Sequence, residues 1–301
     1  MKTLFTVRDM QAACRSLRQT GSLGLVPTMG ALHDGHLSLV RRAAAENDAV
    51  AVSIFVNPTQ FAPGEDYDAY PRRLAEDGAK LEAEGVDLLF TPSVEEMYPS
   101  GATTFVEVAG LGDRLDGASR PGHFRGVATV VAKLFHIVHP DRAYFGQKDA
   151  AQVAVLRAMV RDLLFPLQLV VCPIVREPSG LAMSSRNLNL SAAERDRAGA
   201  LSRALQTAAR LVRDGETGAA ALRVAMLSQL SNEDGVVRLD YAEVVHPETL
   251  LPVADTRQGA LLAVAAWVGQ TRLIDNLLVE ALPAERPQSA SLPEQIEAMH
   301  V

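Results

Sequence analysis

Leu23-Gly24-Leu25-Val26-Pro27-Thr28-Met29-Gly30-Ala31-Leu32-His33-Asp34-Gly35-His36 is a short apolar run, a turn containing Pro and Gly, and two histidines three residues apart. Leu37, Val40 and Ala44 follow at helical spacing, so the stretch reads as strand, turn and helix start. At a helix start, unpaired backbone N–H groups and the helix dipole favour an anion. The glycine between the histidines lets both imidazoles point at one group while the backbone comes close. There is no Gly-Lys-Ser/Thr of a Walker loop. A metal pair would need further ligands, and only Asp34 is at hand. Two surface histidines on a turn is the bland alternative.

The same alternation continues outward. Ala49-Val50-Ala51-Val52-Ser53-Ile54-Phe55 reads as a strand buried on both faces of a parallel sheet. A helix is predicted over 69–84, ended by Gly85, with a strand at 87–90. Further helices at 124–139 and 149–163 alternate with strands at 142–145 and 167–172. Repeated βαβ units imply an α/β fold with a doubly wound, Rossmann-like parallel sheet. The character changes after about Arg176. Ser191 and Glu194 have capping-box spacing before a long alanine-rich helix. A helix at 218–230 follows, then β segments at 238–246, 260–268 and 272–279, expected to form an antiparallel sheet carrying those helices. The expected division is a ligand-binding domain over 1–176, a smaller α+β lid domain over 177–282, and a flexible tail over 283–301.

Of 301 residues, 48% are hydrophobic and 22% charged, which excludes a mainly disordered chain, a collagen or a disulfide scaffold. The net charge of −7 argues against a nucleic-acid partner. Cys14 and Cys172 lie among apolar neighbours without CxxC spacing and read as small buried hydrophobes in a reducing compartment. No uncharged run approaches the roughly 20 apolar residues of a membrane span, and no basic-then-apolar signal pattern opens the chain. A soluble, cytoplasmic protein without a membrane partner is expected.

Met183-Ser184-Ser185-Arg186-Asn187 lies far downstream, at the end of the α/β half. A His-x-Gly-His turn followed later by a Met-Ser-x-Arg loop resembles the paired signature of the HIGH-motif nucleotidyltransferase superfamily. Histidines at the helix start would donate to phosphates, and the later loop would bring hydroxyls and a cation to the leaving pyrophosphate. Three more segments sharpen the resemblance. Asn57-Pro58-Thr59-Gln60-Phe61 ends a central strand with two amides in the crevice where α/β ligands bind. Gly122-His123-Phe124-Arg125-Gly126-Val127 precedes a helix. Tyr144-Phe145-Gly146-Gln147-Lys148-Asp149 ends another strand, with Gln152 one turn beyond Lys148. In order and spacing, from about residue 20 to 280, the chain resembles the pantothenate synthetase (pantoate–β-alanine ligase) family.

The resemblance implies ATP-dependent condensation of pantoate with β-alanine through a pantoyl adenylate, with Mg²⁺ and a homodimer. It implies ATP contacts from Pro27, Thr28 and the 29–36 segment (Met29, Gly30, Ala31, Leu32, His33, Asp34, Gly35, His36), from Gly146, Gln147, Lys148 and Asp149, and from Val175, Met183, Ser184, Ser185 and Arg186. His33, His36, Lys148 and Arg186 take the catalytic roles, with His36 as proton donor. Gln60 is similar to a ligand of both acids and Gln152 to a second pantoate ligand; Asn57 is placed beside them. Gln147 stands where the resemblance implies Glu. Asp77 reads as an exposed helix carboxylate or a contact for Mg²⁺. Lys148 opposes the dipole of the helix it opens, which favours a functional reason, and His123 admits both a structural and a site role. The rivals are another adenylyl-transferring enzyme of the superfamily, a tRNA synthetase fragment, and a non-catalytic nucleotide-sensing module.

Overall fold

A computed structural model describes residues 1–231 and 237–281; the tail expected over 283–301 lies outside the described residues. The first part runs β1 (Lys2–Leu4), α1 (Val7–Leu17), β2 (Leu23–Thr28), α2 (Asp34–Glu46), β3 (Ala49–Ile54), α3 (Leu74–Ala83), β4 (Leu88–Phe90) and α4 (Val94–Met97). It continues through α5 (Asp116–Ser119), α6 (His123–Val138), β5 (Arg142–Gly146), α7 (Ala150–Asp162) and β6 (Gln168–Cys172). The strands form one six-stranded sheet in the order β1-β4-β3-β2-β5-β6, all pairs parallel.

Alternation along each strand divides the core. Leu23, Leu25, Ala49 and Ala51 pack on the face covered by α1, α6 and α7, while Val26, Val50 and Val52 pack under α2 and α3. Each fully buried Val or Leu contributes about 1.5–3 kcal/mol, so a charge at any of these positions would break the sheet. The chain leaves β2 toward β3 on one side and returns to β5 on the other, which makes β2/β5 the switch point. Pairing of β2 with β5 stops after Leu25↔Ala143. Beyond it the carboxyl ends of the two strands part, and ligands of such sheets bind in that crevice.

The second part holds α8 (Ala192–Ala198), α9 (Ala200–Arg213), α10 (Ala219–Ser231) and the antiparallel sheet β7 (Val237–Val245), β8 (Ala260–Val268), β9 (Thr271–Val279). β8 is buried on both faces. Leu261 and Ala263 join the core of the first sheet, whereas Ala260, Leu262 and Val264 pack against α9 and α10.

The fold class is as expected, and three local expectations need correction. The helix predicted from 69 begins at Leu74, because Pro71 disfavours helical backbone at Tyr70. The single long alanine-rich helix is two, α8 with its Ser191–Glu194 capping box and α9, divided at Gly199. A Cβ there would stand 3.2 Å from Ser179 O, so the glycine admits a neighbouring turn. β1 and α1 were not anticipated.

Candidate active site

Loops following β2, β3, β5 and β6 converge on the crevice. His33 caps α2: its Nδ1 accepts the Gly35 N–H at 3.1 Å, and the His33 N–H donates to His36 Nδ1 at 3.4 Å. Both Nδ1 atoms act as acceptors, so each ring carries its proton on Nε2. The ring centroids lie 4.1 Å apart and both rings line one cavity. A Cβ on Gly35 would stand 2.8 Å from the His33 ring, which is why the spacer is glycine. Burial, reinforced by His33, pushes His36 down to about 3. Burial and then the Lys148 charge push His33 down to about 4. The pair is therefore uncharged at neutral pH. It can supply hydrogen bonds but no charge, so the positive charge facing the cavity comes from Lys148 and Arg186.

The turn between β2 and α2 has left-handed backbone at Gly30 (φ 85°) and at Ala31 (φ 52°). This leaves two inward N–H groups, and Asp77 of α3 takes both: Oδ2 from Ala31 and Oδ1 from Leu32, each at 2.8 Å. Lys80, one turn on, donates to Leu32 O at 2.7 Å. Asp77 is 1% exposed and does not line the cavity holding the two imidazoles. The exposed carboxylate expected of it is corrected to a buried clasp on the 30–32 turn; Asp77 lines a neighbouring cavity with His33, Met183 and Ser184. Of the 27–36 stretch, Pro27, Met29, His33, Gly35 and His36 line the cavity. Thr28 backs the turn, its Oγ1 donating to Ser53 O at 2.7 Å and accepting from Gly30 N at 3.2 Å. Asp34 begins α2.

Across the crevice, Gly146, Lys148, Asp149, Val175 and the loop Met183-Ser184-Ser185-Arg186 line the same cavity. Lys148 Nζ lies 3.4 Å from Asp149 Oδ1. Burial works to raise Asp149, but Lys148, His36 and Arg186 outweigh it and hold the carboxyl below its ordinary range. Arg186 is held by Asp66, both contacts at 3.1 Å, and Ser185 Oγ lies 3.1 Å from the Tyr70 hydroxyl. Gln147 turns away from the cavity; its Nε2 donates to Asn276 Oδ1 at 3.0 Å.

Gln60 and Gln152 line an adjoining cavity with Met29 and Asp149, walled by Val127, Val130, Val131 and Leu134 of α6. Asn57 does not present a free amide there. Its Nδ2 donates to Gln60 Oε1 (3.0 Å) and Gly126 O (3.1 Å), and its Oδ1 accepts from Tyr98 (2.8 Å) and Thr59 (2.9 Å). Asn57 lines this cavity, and through its bond to Oε1 it also orients Gln60. His123 braces the same turn, Nδ1 lying 2.8 Å from Gln60 O and Nε2 3.1 Å from Arg120, which also grips Glu65, and it lines a further cavity with Gln60, Lys148 and Gln152. Burial, then Arg120, lowers His123 to about 4. The sequence reading missed Asp66, Tyr70 and Arg120. Three acids and two tyrosines within 65–70, shortly after Gln60-Phe61, were the available signal for the first two.

Neutral donors at a helix start, a cation opposite them and a Met-Ser-Ser-Arg loop on a doubly wound sheet define a nucleotide-binding α/β protein of the nucleotidyltransferase type. The sequence profile of the pantoate–beta-alanine ligase family matches residues 2–278. The pantothenate synthetase of Acidobacterium capsulatum is 60% identical over 296 residues, covering 94% of this chain and 99% of the relative. The crystal structure of pantothenate synthetase from Thermus thermophilus is similar with TM-score 0.88 at 52% identity, covering 92% of this chain and 99% of that one. That of pantoate–beta-alanine ligase from Francisella tularensis, complexed with beta-gamma ATP and beta-alanine, has TM-score 0.76 at 36% identity, covering 92% and 97%. This chain belongs to the pantoate–beta-alanine ligase family. Among the described residues, no helix is long and apolar enough to cross a membrane.

Proposed function

We propose that this chain condenses (R)-pantoate with β-alanine in two steps, using ATP and releasing AMP and pyrophosphate. The observation that carries the reading is the junction of two cavities at Met29, His36, Asp149 and Gln152. One is lined by the histidine pair, Lys148 and Arg186; the other joins two glutamine amides to an aliphatic wall. A small branched hydroxy acid matches that second cavity.

In the first step a pantoate carboxylate oxygen attacks the α-phosphorus of ATP. A P–O–C(=O) bond forms, the bond to the β-phosphate oxygen breaks, and pyrophosphate leaves. A carboxylate with pKa near 4 is already ionised at neutral pH, so the step needs positioning and charge stabilisation, not a base. The Nε2–H groups of His33 and His36 donate to phosphate oxygens. Lys148 and Arg186 stabilise the charge that builds on the leaving group, Arg186 exchanging its contact with Asp66 for pyrophosphate. In the second step the β-alanine amine attacks the acyl carbon; the amide bond forms, AMP leaves, and the ammonium proton passes to solvent. Magnesium belongs to this reading as part of the Mg–ATP substrate. Among the described residues no group of three or more His, Cys, Asp or Glu could hold a metal ion.

The same reading takes residues 177–282 as a lid domain on 1–176, the protein as a homodimer, and its compartment as the cytoplasm; buried, unpaired Cys14 and Cys172 suit a reducing compartment. Light scattering of the purified protein tests the dimer. The test of activity is AMP release from ATP with neither acid, with each alone and with both. Sustained AMP production only with both acids is expected; AMP release indifferent to pantoate would overturn the assignment.

A further inference from the structure

The apolar run Leu273–Val279 of β9 is interrupted by two adjacent buried polar residues, Asp275 and Asn276, each 3% exposed. Burying an amide or a carboxylate inside a sheet costs several kcal/mol unless every polar atom finds a partner, so their partners explain why they are there. The Asn276 Nδ2 donates to Lys148 O at 2.8 Å and Gln147 O at 3.0 Å, which uses both of its protons. Its Oδ1 must then face a donor, and Gln147 Nε2 supplies one at 3.0 Å. Here Gln147 fits its partner: a carboxylate at this position would set two acceptors against each other.

Asp275 engages the opposite lip. Its carboxylate holds Arg176 through contacts of 2.6 and 3.0 Å, and Arg176 donates onward to Gly180 O at 3.0 Å. The chain from there leads directly into Met183, whose N–H donates to Val175 O at 2.9 Å. The Asp275 Oδ1 also accepts the Asn276 N–H at 2.8 Å. Two neighbouring residues of the C-terminal sheet thereby fix both segments that carry the cations of the site: the start of α7 with Lys148 and Gln152, and the loop with Arg186.

We propose that Asn276 is a positioning residue for adenylate formation. From the far side of the 147–149 turn it sets the distance of Lys148 from the nucleotide. This rests on the proposed ligase reading. An Asn276→Ala change leaves two backbone carbonyls and one glutamine amide without their partner, and a 1 Å drift of a positioned group costs about 100-fold in rate. The effect falls on the ATP half-reaction, because Gln60 and the α6 wall are held independently through Asn57 and Gly126.

The experiment compares the parent, Asn276→Ala, Asn276→Asp, Asn276→Ser and Gln147→Ala in pantoate-dependent ATP–pyrophosphate exchange, with KM and kcat resolved for ATP. Binding of a non-hydrolysable ATP analogue is measured by calorimetry in parallel. For Asn276→Ala, kcat/KM for ATP falls tenfold or more while the KM for pantoate stays within threefold. Asn276→Ser, with one donor left, is intermediate, and Gln147→Ala, which spares both Nδ2 bonds, costs under threefold. Asn276→Asp is nearly isosteric but cannot donate while ionised, so its deficit relative to the parent is deepest near pH 8 and shrinks toward pH 5 as the new carboxyl protonates. Exchange and analogue binding within twofold of the parent in both Asn276→Ala and Asn276→Asp would overturn the proposal. A parent that shows no pantoate-dependent exchange would overturn the ligase reading; analogue binding tenfold weaker in Asn276→Ala would still uphold Asn276 as the positioning residue of the nucleotide site, and equal binding would refute it.

Discussion

Asp77→Asn is the change that most directly separates a clasp from a metal ligand. The carboxylate accepts one N–H on each oxygen, from Ala31 and Leu32 at 2.8 Å. An asparagine keeps one acceptor and turns an NH₂ toward the other N–H. One buried donor is orphaned, at about 1–3 kcal/mol, and the surviving bond loses its charge assistance, at about another 1 kcal/mol. The turn already carries Ala31 in left-handed backbone, which costs about 1–2 kcal/mol, so it relaxes once the clasp weakens. We expect denaturant unfolding to show a loss of about 2–4 kcal/mol. Turnover falls at least tenfold, because His33 leaves the helix cap as the turn relaxes. Steady-state kinetics at varied Mg²⁺ complete the test: the Mg²⁺ dependence of the residual activity is unchanged. Unaltered stability with a raised Mg²⁺ requirement would refute the clasp and restore Asp77 as a metal contact.

Both active-site histidines have lowered pKa values, about 4 for His33 and about 3 for His36, against 6.5 in the unfolded chain. Below pH 6.5 the unfolded state therefore binds protons that the native state refuses, so stability is full above about 6.5 and erodes as the pH falls toward 4; ¹⁵N-histidine NMR showing either ring titrating near 6.5 would contradict this. Gly126→Ala sets a Cβ 2.3 Å from Thr59 O and 2.5 Å from Thr59 C, so α6 must retreat from the Asn57–Gln60 turn; thermal unfolding lowered by several degrees and a raised KM for pantoate are expected, and a neutral substitution would refute that packing. Lys148→Ala removes most exchange activity while the protein stays folded, and near-parent turnover would remove Lys148 from the mechanism. Gln60→Ala raises the KM for pantoate and β-alanine more than that for ATP; a change confined to ATP would misplace it.

The alternating sheet was legible because β2 and β3 are apolar on both faces, a pattern that only a covered parallel strand needs. β1 was not, since three residues with a single buried side chain, Leu4, carry no period. In the site, the histidines and Lys148 announce themselves by lying at strand ends beside glycine. The clasp made by Asp77 and the bracing made by Asn57 were not legible for a common reason: their partners are backbone groups exposed by local geometry, the Ala31 and Leu32 N–H and the Gly126 carbonyl. A sequence shows a carboxylate or an amide but not the orphaned backbone atom it serves. Asn276 was hidden similarly, although adjacent Asp and Asn inside the apolar run 273–279 was a legible anomaly.

The proposed reaction activates pantoate's carboxylate by adenylation between the histidine pair and Lys148. Incubation of the protein with pantoate carrying ¹⁸O in its carboxylate, ATP and β-alanine, followed by mass spectrometry of the AMP, tests it most directly. One ¹⁸O atom in the AMP phosphate is the predicted result. Unlabelled AMP, or ADP as the nucleotide product, would exclude the pantoyl adenylate.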